Sequence, residues 1–217
     1  MFKSTLLVLL LVLSAGAEEV LFNGKNLDGW KGDPQLWKVE NGEIVGSTHG
    51  VKLKANTFLI WEGEAGDFEL SYEARVEGDN NSGMMYRAEI MDAKAFRMKG
   101  NQCDLHPKPE YCGMLYSEAT GRGIVAQRGT KVVVKAETGK PEVTGKTEEA
   151  TQVDISKWHT YKIIAKGNHI QHFVDGKLAV DLVDNHKDIK LKGTLGLQLH
   201  RGKDMKAYFK NIVLKKL

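Results

Sequence analysis

Beyond its first thirteen residues the chain has no apolar run approaching the roughly 20 residues that a helix needs to cross a bilayer, so no stable membrane insertion is expected of the mature protein. Cysteine is scarce. Only Cys103 and Cys112 occur in 217 residues, and without a Cys-x-x-Cys spacing they do not suggest zinc. Neither sign of charge is in excess: 31 Lys and Arg stand against 28 Asp and Glu, with no basic patch of the kind that nucleic acid demands. No stretch of eleven residues sustains the 3.6-residue period of an amphipathic helix. Also missing are a Gly-x-Ser-x-Gly elbow, a phosphate loop, His-Glu-x-x-His and the Glu-x-Asp-x-x-Glu pairing of sandwich-fold glucanases. The last absence argues against ordinary two-carboxylate glycoside hydrolysis.

What is present begins at the N-terminus. Lys3 supplies a positive charge, Leu6 to Leu13 an unbroken apolar core, and Ala15-Gly16-Ala17 a small-x-small cleavage site. Residues 1–17 therefore read as a secretory signal peptide, with the protein exported to the periplasm or the extracellular space. Residues 18–217 are long enough to bury one substantial core and are expected to form a single domain. Export would expose the two cysteines to an oxidising compartment. A Cys103–Cys112 disulfide would close a short loop carrying Pro107 and Pro109; two free thiols are the alternative.

Period-two alternation dominates the remainder. Phe68, Leu70, Tyr72, Ala74 and Val76 alternate with Glu69, Ser71, Glu73 and Arg75, which is the pattern of a half-buried strand. Val132–Val134, Tyr161–Ala165, Leu195–Leu199 and Tyr208–Leu214 are further strand candidates, and Asn41-Gly42, Gly167-Asn168 and Asp175-Gly176 suit tight hairpins. Polar residues with Gly139, Pro141 and Gly145 mark 136–152 as a surface loop. Many short strands, Gly-rich turns and no helix predict an all-β jelly-roll sandwich.

Strand parity also groups the reactive side chains. Gln102, Asp104 and His106 would share one face of a strand, and Gln198 and His200 one face of another. Arg87 would share a face with Gly83 and Met85, where it either pairs with Glu73 of a neighbouring strand or binds sugar hydroxyls or a developing oxyanion. Trp30, Trp37, Trp61 and Trp158 suit core packing better than sugar stacking.

Several segments in order resemble a known family: Leu21-Phe22-Asn23-Gly24-Lys25-Asn26-Leu27-Asp28-Gly29-Trp30, Trp37 to Val45, Asn81-Ser82-Gly83 with Arg87, Val174-Asp175-Gly176, Gly196-Leu197-Gln198-Leu199-His200 and Phe209-Lys210-Asn211-Ile212. Their succession is similar to the 3-keto-disaccharide hydrolase domain family across nearly the whole mature chain. That resemblance implies a concanavalin A-like sandwich of the lectin and glucanase type, an oxidised (3-keto) disaccharide or glycoside as partner, and a divalent metal as a potential cofactor. The chain departs from the family in having Gln102-x-Asp104 in place of Glu-x-Gln, which moves the carboxylate two positions along the same strand face.

A ketone at C3 acidifies the hydrogen on C2, so one base and one enolate stabiliser suffice to expel the C1 substituent. Asp104, His106 and His200 are the candidate bases; Arg87, or a metal held by Asp104, His106 and His200, is the candidate stabiliser. Gln102, Tyr116, Arg128, Gln198 and Glu73 are the expected sugar contacts. A non-catalytic, lectin-like carbohydrate-binding module is the alternative function, because a fold does not dictate catalysis.

Overall fold

The computed structural model describes residues 16–147 and 153–217. All of the expected signal peptide except Gly16 and Ala17 lies outside the described residues. Among them no helix is present, and hence none long and apolar enough to cross a membrane. Two sheets face each other. The larger runs in the order β12 (Pro141–Lys146), β11 (Thr130–Val134), β15 (Lys177–Asp184), β14 (His169–Val174), β13 (His159–Lys166), β6 (Phe68–Glu77), β17 (Lys206–Lys216), β4 (Glu43–Ser47) and β3 (Trp37–Glu40), with β1 (Glu18–Val20) also on β17. The smaller runs β10 (Gly123–Ala126), β9 (Leu115–Glu118), β8 (Arg97–Leu105), β7 (Ser82–Asp92), β16 (Thr194–Leu199), β5 (Thr57–Trp61) and β2 (Trp30–Lys31). This is the predicted jelly-roll sandwich.

The alternation read from the sequence sets the core. On β6 the residues Phe68, Leu70, Tyr72, Ala74 and Val76 are buried, while the intervening polar residues lie on the outer face. Each large apolar side chain removed from water in this way contributes about 1.5–3 kcal/mol. The three dipeptide turns form as predicted. Asn41 and Gly42 have φ of 53° and 78°, Asp175 and Gly176 of 50° and 76°, values that Asn, Asp and Gly adopt at least cost. Trp30, Trp37 and Trp61 are core residues, whereas half-buried Trp158 packs under the cations of Arg75 and Lys210.

Two expectations are corrected. Residues 141–146 are not loop but strand β12, an exposed edge strand paired with β11; it carries no apolar alternation because neither of its faces meets the core. Cys103 and Cys112 are free, and the expected disulfide is absent. Both thiols point into the core, where Cys112 Sγ lies 3.6 Å from the Tyr161 hydroxyl. Burial pushes both thiols up, so each behaves as a small apolar side chain.

A second, smaller apolar cluster sits on the outer face of the seven-stranded sheet. It comprises Phe58, Ile60, Met85, Ala88 and Met98, with Phe96 against it. The turn joining β7 to β8 reaches back over β16, and the Phe96 carbonyl accepts from the Phe58 amide of β5 at 2.9 Å. Gly196 permits this approach, since a Cβ there would stand 2.3 Å from Met98 Sδ. The folded-over hairpin becomes one wall of the site.

Candidate active site

Three neighbouring strands supply the floor of a pocket of about 620 Å³ on this outer face. Gly83 of β7 pairs with Asp104 of β8, and Leu197 of β16 pairs with Met84, which brings Gln198 alongside Gly83. A Cβ on Gly83 would lie 2.6 Å from the side chain of Gln102, so the missing side chain is the space across which Gln102 folds. Tyr116 of β9 pairs with Gln102. Gln102, Asp104, His106, Gln198 and His200 thus meet in one pocket, as their parity predicted, with His106 and His200 just beyond the ends of β8 and β16, and Tyr116 joins them from β9.

The floor is polar, buried and incompletely satisfied. Gln102 Nε2 and Gln198 Oε1 are buried with no hydrogen-bond partner among the described residues, and both residues are only 1% exposed. A buried amide atom left unpaired costs about 1–3 kcal/mol, which a ligand can recover by pairing with it. One atom offers a donor and the other an acceptor, matching a carbonyl beside a hydroxyl. Asp104 is 2% exposed, and burial pushes its pKa up to about 8; a 3.3 Å hydrogen bond from Asn81 Nδ2 opposes that rise. The charge of Glu118 adds to it.

The two histidines present different atoms. His106 Nδ1 accepts from the Lys108 amide at 3.0 Å, so the neutral ring carries its proton on Nε2. His200 Nδ1 lies 2.6 Å from the Arg201 carbonyl, which can only accept, so Nδ1 carries a proton and donates it there. Burial, followed by the Lys108 charge, pulls the His106 pKa down and favours the neutral ring. His106, with its Nε2–H donor, and His200 thus line the same pocket.

Three sequence expectations fail here. Arg87 is buried, but it faces away from the pocket, donating to the carbonyls of Gly66 and Gly167 at 2.9 and 2.6 Å and to Asp67 at 2.9 Å. The β7–β8 ladder bulges between Tyr86 and Glu89 and Arg87 has φ of 45°, so the parity that linked it to Gly83 breaks. Glu73 lies on β6 in the other sheet and holds Asn211 and Lys210, meeting neither Arg87 nor the site. Arg128 donates to the Cys112 carbonyl at 3.2 Å from the β10–β11 turn and does not line the pocket.

Sequence reasoning missed Asn56, Asn81, Arg97, Met114, Glu118 and Arg201, all of which line the pocket. Glu118 shares strand parity with Tyr116, a usable signal; Asn56 and Arg201 arrive from loops and gave none. Asn56 links the walls, donating to Glu118 Oε1 at 3.0 Å and accepting from the Arg201 amide at 3.0 Å. Among the described residues no three His, Cys, Asp or Glu side chains gather as a metal-binding group. Asp104, His106 and His200 therefore do not fit a three-ligand metal site.

Comparison with known proteins places this geometry in context. In solved structures the fold is similar to a provisionally assigned glycosyl hydrolase of Parabacteroides distasonis, with TM-score 0.63 and 22% identity over 92% of this chain and 94% of that one. It is also similar to the carbohydrate-binding module CBM66 of Bacillus subtilis (TM-score 0.56, 18% identity, 87% and 96% covered) and to the β-glucanase of Bacillus licheniformis (0.55, 11%, 94% and 99%). At such identities these likenesses establish the concanavalin A-like fold alone. No curated protein matches the chain in sequence. The profile of one domain family matches residues 17–215, nearly the whole chain, and the ordered motifs from Leu21 to Ile212 fall inside it. The chain belongs to the 3-keto-alpha-glucoside-1,2-lyase-like domain family.

Proposed function

We propose that this protein is exported and cleaves 3-keto-glycosides by removing the C2 proton and expelling the C1 substituent. The observation that carries the reading is the buried Asp104 carboxyl, held near pKa 8, on a floor with one orphaned amide donor and one orphaned acceptor. A carboxylate of that basicity is far better suited to a carbon acid than an exposed Asp. Gln102 Nε2 and His106 Nε2–H would donate to the C3 oxygen as it gains enolate charge, taking the role first assigned to Arg87. Gln198 Oε1 would accept from a neighbouring hydroxyl, and Tyr116 would flank the ring. The C2–H and C1–O bonds break, a C1=C2 bond forms, and the proton taken by Asp104 is returned to the departing oxygen through His200. Water then adds to the unsaturated keto sugar or the product leaves as such.

The test compares the purified protein on matched native and 3-keto disaccharides in deuterated water. Only the keto sugar should be cleaved, and any hydrated product should carry deuterium at C2. Equal cleavage of both sugars would indicate ordinary hydrolysis, and binding without turnover a lectin-like module; either result refutes the proposal.

A further inference from the structure

The sequence contains six arginines. Four are engaged within the protein: Arg75 with Glu77, Arg87 with Asp67, Arg122 with Asp184, and Arg128 with the Cys112 carbonyl. The guanidiniums of Arg97 and Arg201 have no acid or carbonyl partner among the described residues, and both line the pocket that holds Asp104. They reach it from different elements, Arg97 from the start of β8 on the hairpin wall and Arg201 from the loop after β16.

Arg97, Ala55 and Asn56 also border a second depression of about 330 Å³, so the two form one groove. Lys54 and Lys94 also line it, and neither is in an ion pair among the described residues. The acids that line the groove pair with neutral amides and not with these cations. Asp33 and Asp92 accept from the amides of Gln35, and of Lys94 and Ala95, within their own turns. Glu118 accepts from Asn56, and none of the three lies within ion-pair distance of an arginine. Below its pKa of about 8, Asp104 is neutral. The Arg97 and Arg201 guanidiniums are therefore left unpaired at the pocket that holds Asp104.

We propose that the glycoside bound at this site carries an anionic group, a carboxylate or a sulfate ester, held by Arg97 and Arg201. The planar guanidinium fork suits either group, forming two parallel charge-assisted hydrogen bonds. That the bound molecule is a glycoside rests on the proposed function; the anion site itself does not depend on the chemistry.

The experiment uses the full protein with three probes: glucosyl-glucose, glucosyl-glucuronic acid and glucosyl-glucose 6-sulfate, each in native and 3-keto form. Calorimetry measures binding, and kcat/KM measures cleavage. At least one anionic probe should bind about tenfold or more tightly than the neutral one, the two anionic arms showing which group is preferred. Raising the salt should shrink the preference. Arg97→Gln and Arg201→Gln should each remove much of it, and the double variant all of it, with melting temperatures unchanged because both side chains are exposed. Equal affinity for neutral and anionic probes, or a preference that survives the double variant, overturns the inference. Cleavage of the neutral 3-keto sugar without any anionic preference would sink this inference and leave the proposed reaction standing. Anionic preference without cleavage of any keto probe would do the reverse.

Discussion

Replacing Asp104 by Asn should make the protein more stable while removing its activity, and the gain should depend on pH in a defined way. The carboxyl has an ordinary value of 3.8 and a folded value of about 8, raised chiefly by burial. Between those values the unfolded chain holds Asp104 ionised and the folded protein holds it protonated, so folding takes up a proton. Stability is full below pH 4 and is lost as pH rises toward 8, by about 1.4 kcal/mol per pH unit. At pH 7 the accumulated loss is on the order of 4 kcal/mol. Asn has nearly the same shape, needs no proton, and keeps an oxygen to accept from Asn81. Its extra buried N–H takes back about 1 kcal/mol, leaving a net gain of about 3 kcal/mol at pH 7. For a chain of this size that is a rise in melting temperature of roughly 6–12 °C. Urea denaturation of both proteins from pH 4 to 8 measures the difference directly. The two stability curves should nearly meet at pH 4 and diverge as pH rises; parallel curves would refute the account of Asp104 as a buried, proton-holding group. Turnover of a 3-keto-glycoside by the stabilised variant should fall by about 10²–10⁴-fold.

In the wild type, kcat/KM for the keto sugar should rise about tenfold per pH unit below pH 8 and level off above it, as Asp104 ionises; a flat profile would remove Asp104 from the base role. Gly83→Ala should displace the Gln102 amide that now crosses that position and cost about a hundredfold in kcat/KM, with a stability loss of about 1–3 kcal/mol from overpacking. Arg87→Gln should lower stability by about 2–3 kcal/mol by leaving the Gly66 and Gly167 carbonyls without their donor, yet leave kcat/KM of the folded protein within a few-fold; a far larger kinetic loss would restore Arg87 to the site. His172, buried between the sheets with its Nε2 accepting from the Tyr86 hydroxyl at 2.7 Å, has its pKa lowered to about 4 by burial. The unfolded chain therefore protonates it first, and stability should fall by up to about 3 kcal/mol as pH drops from 6.5 to 4, a loss absent in His172→Gln.

The readable and unreadable parts of this molecule divide along a physical line. Alternation on β6 and the Asn41-Gly42 and Asp175-Gly176 turns are local properties, since side-chain direction and positive φ depend on a few adjacent residues. The convergence of Gln102, Asp104 and His106 with Gln198 and His200 was legible for the same reason: each group is fixed by parity, and β8 and β16 both flank β7. Pairings between distant segments were not legible. β6 and β7 are consecutive in sequence yet belong to different sheets, so Glu73 and Arg87 never become cross-strand neighbours. The failure at Arg87 goes further, because parity holds only while the ladder is regular. The bulge after Tyr86 turns Arg87 toward Asp67, and that turn requires close backbone contact on both sides. A Cβ on Gly100 would lie 2.8 Å from Ala88 Cα, and one on Gly193 would lie 2.6 Å from the Arg87 carbonyl carbon. Two glycines on the strands and loops flanking β7 thus make room for the bulge, one from β8 and one from just before β16. In the sequence they are ordinary glycines; their meaning depends on which strands neighbour β7. The polar floor lies where the ladder is still regular, with Gly83 opposite Asp104 and Met85 opposite Gln102, and there burial holds the Asp104 carboxyl near pH 8.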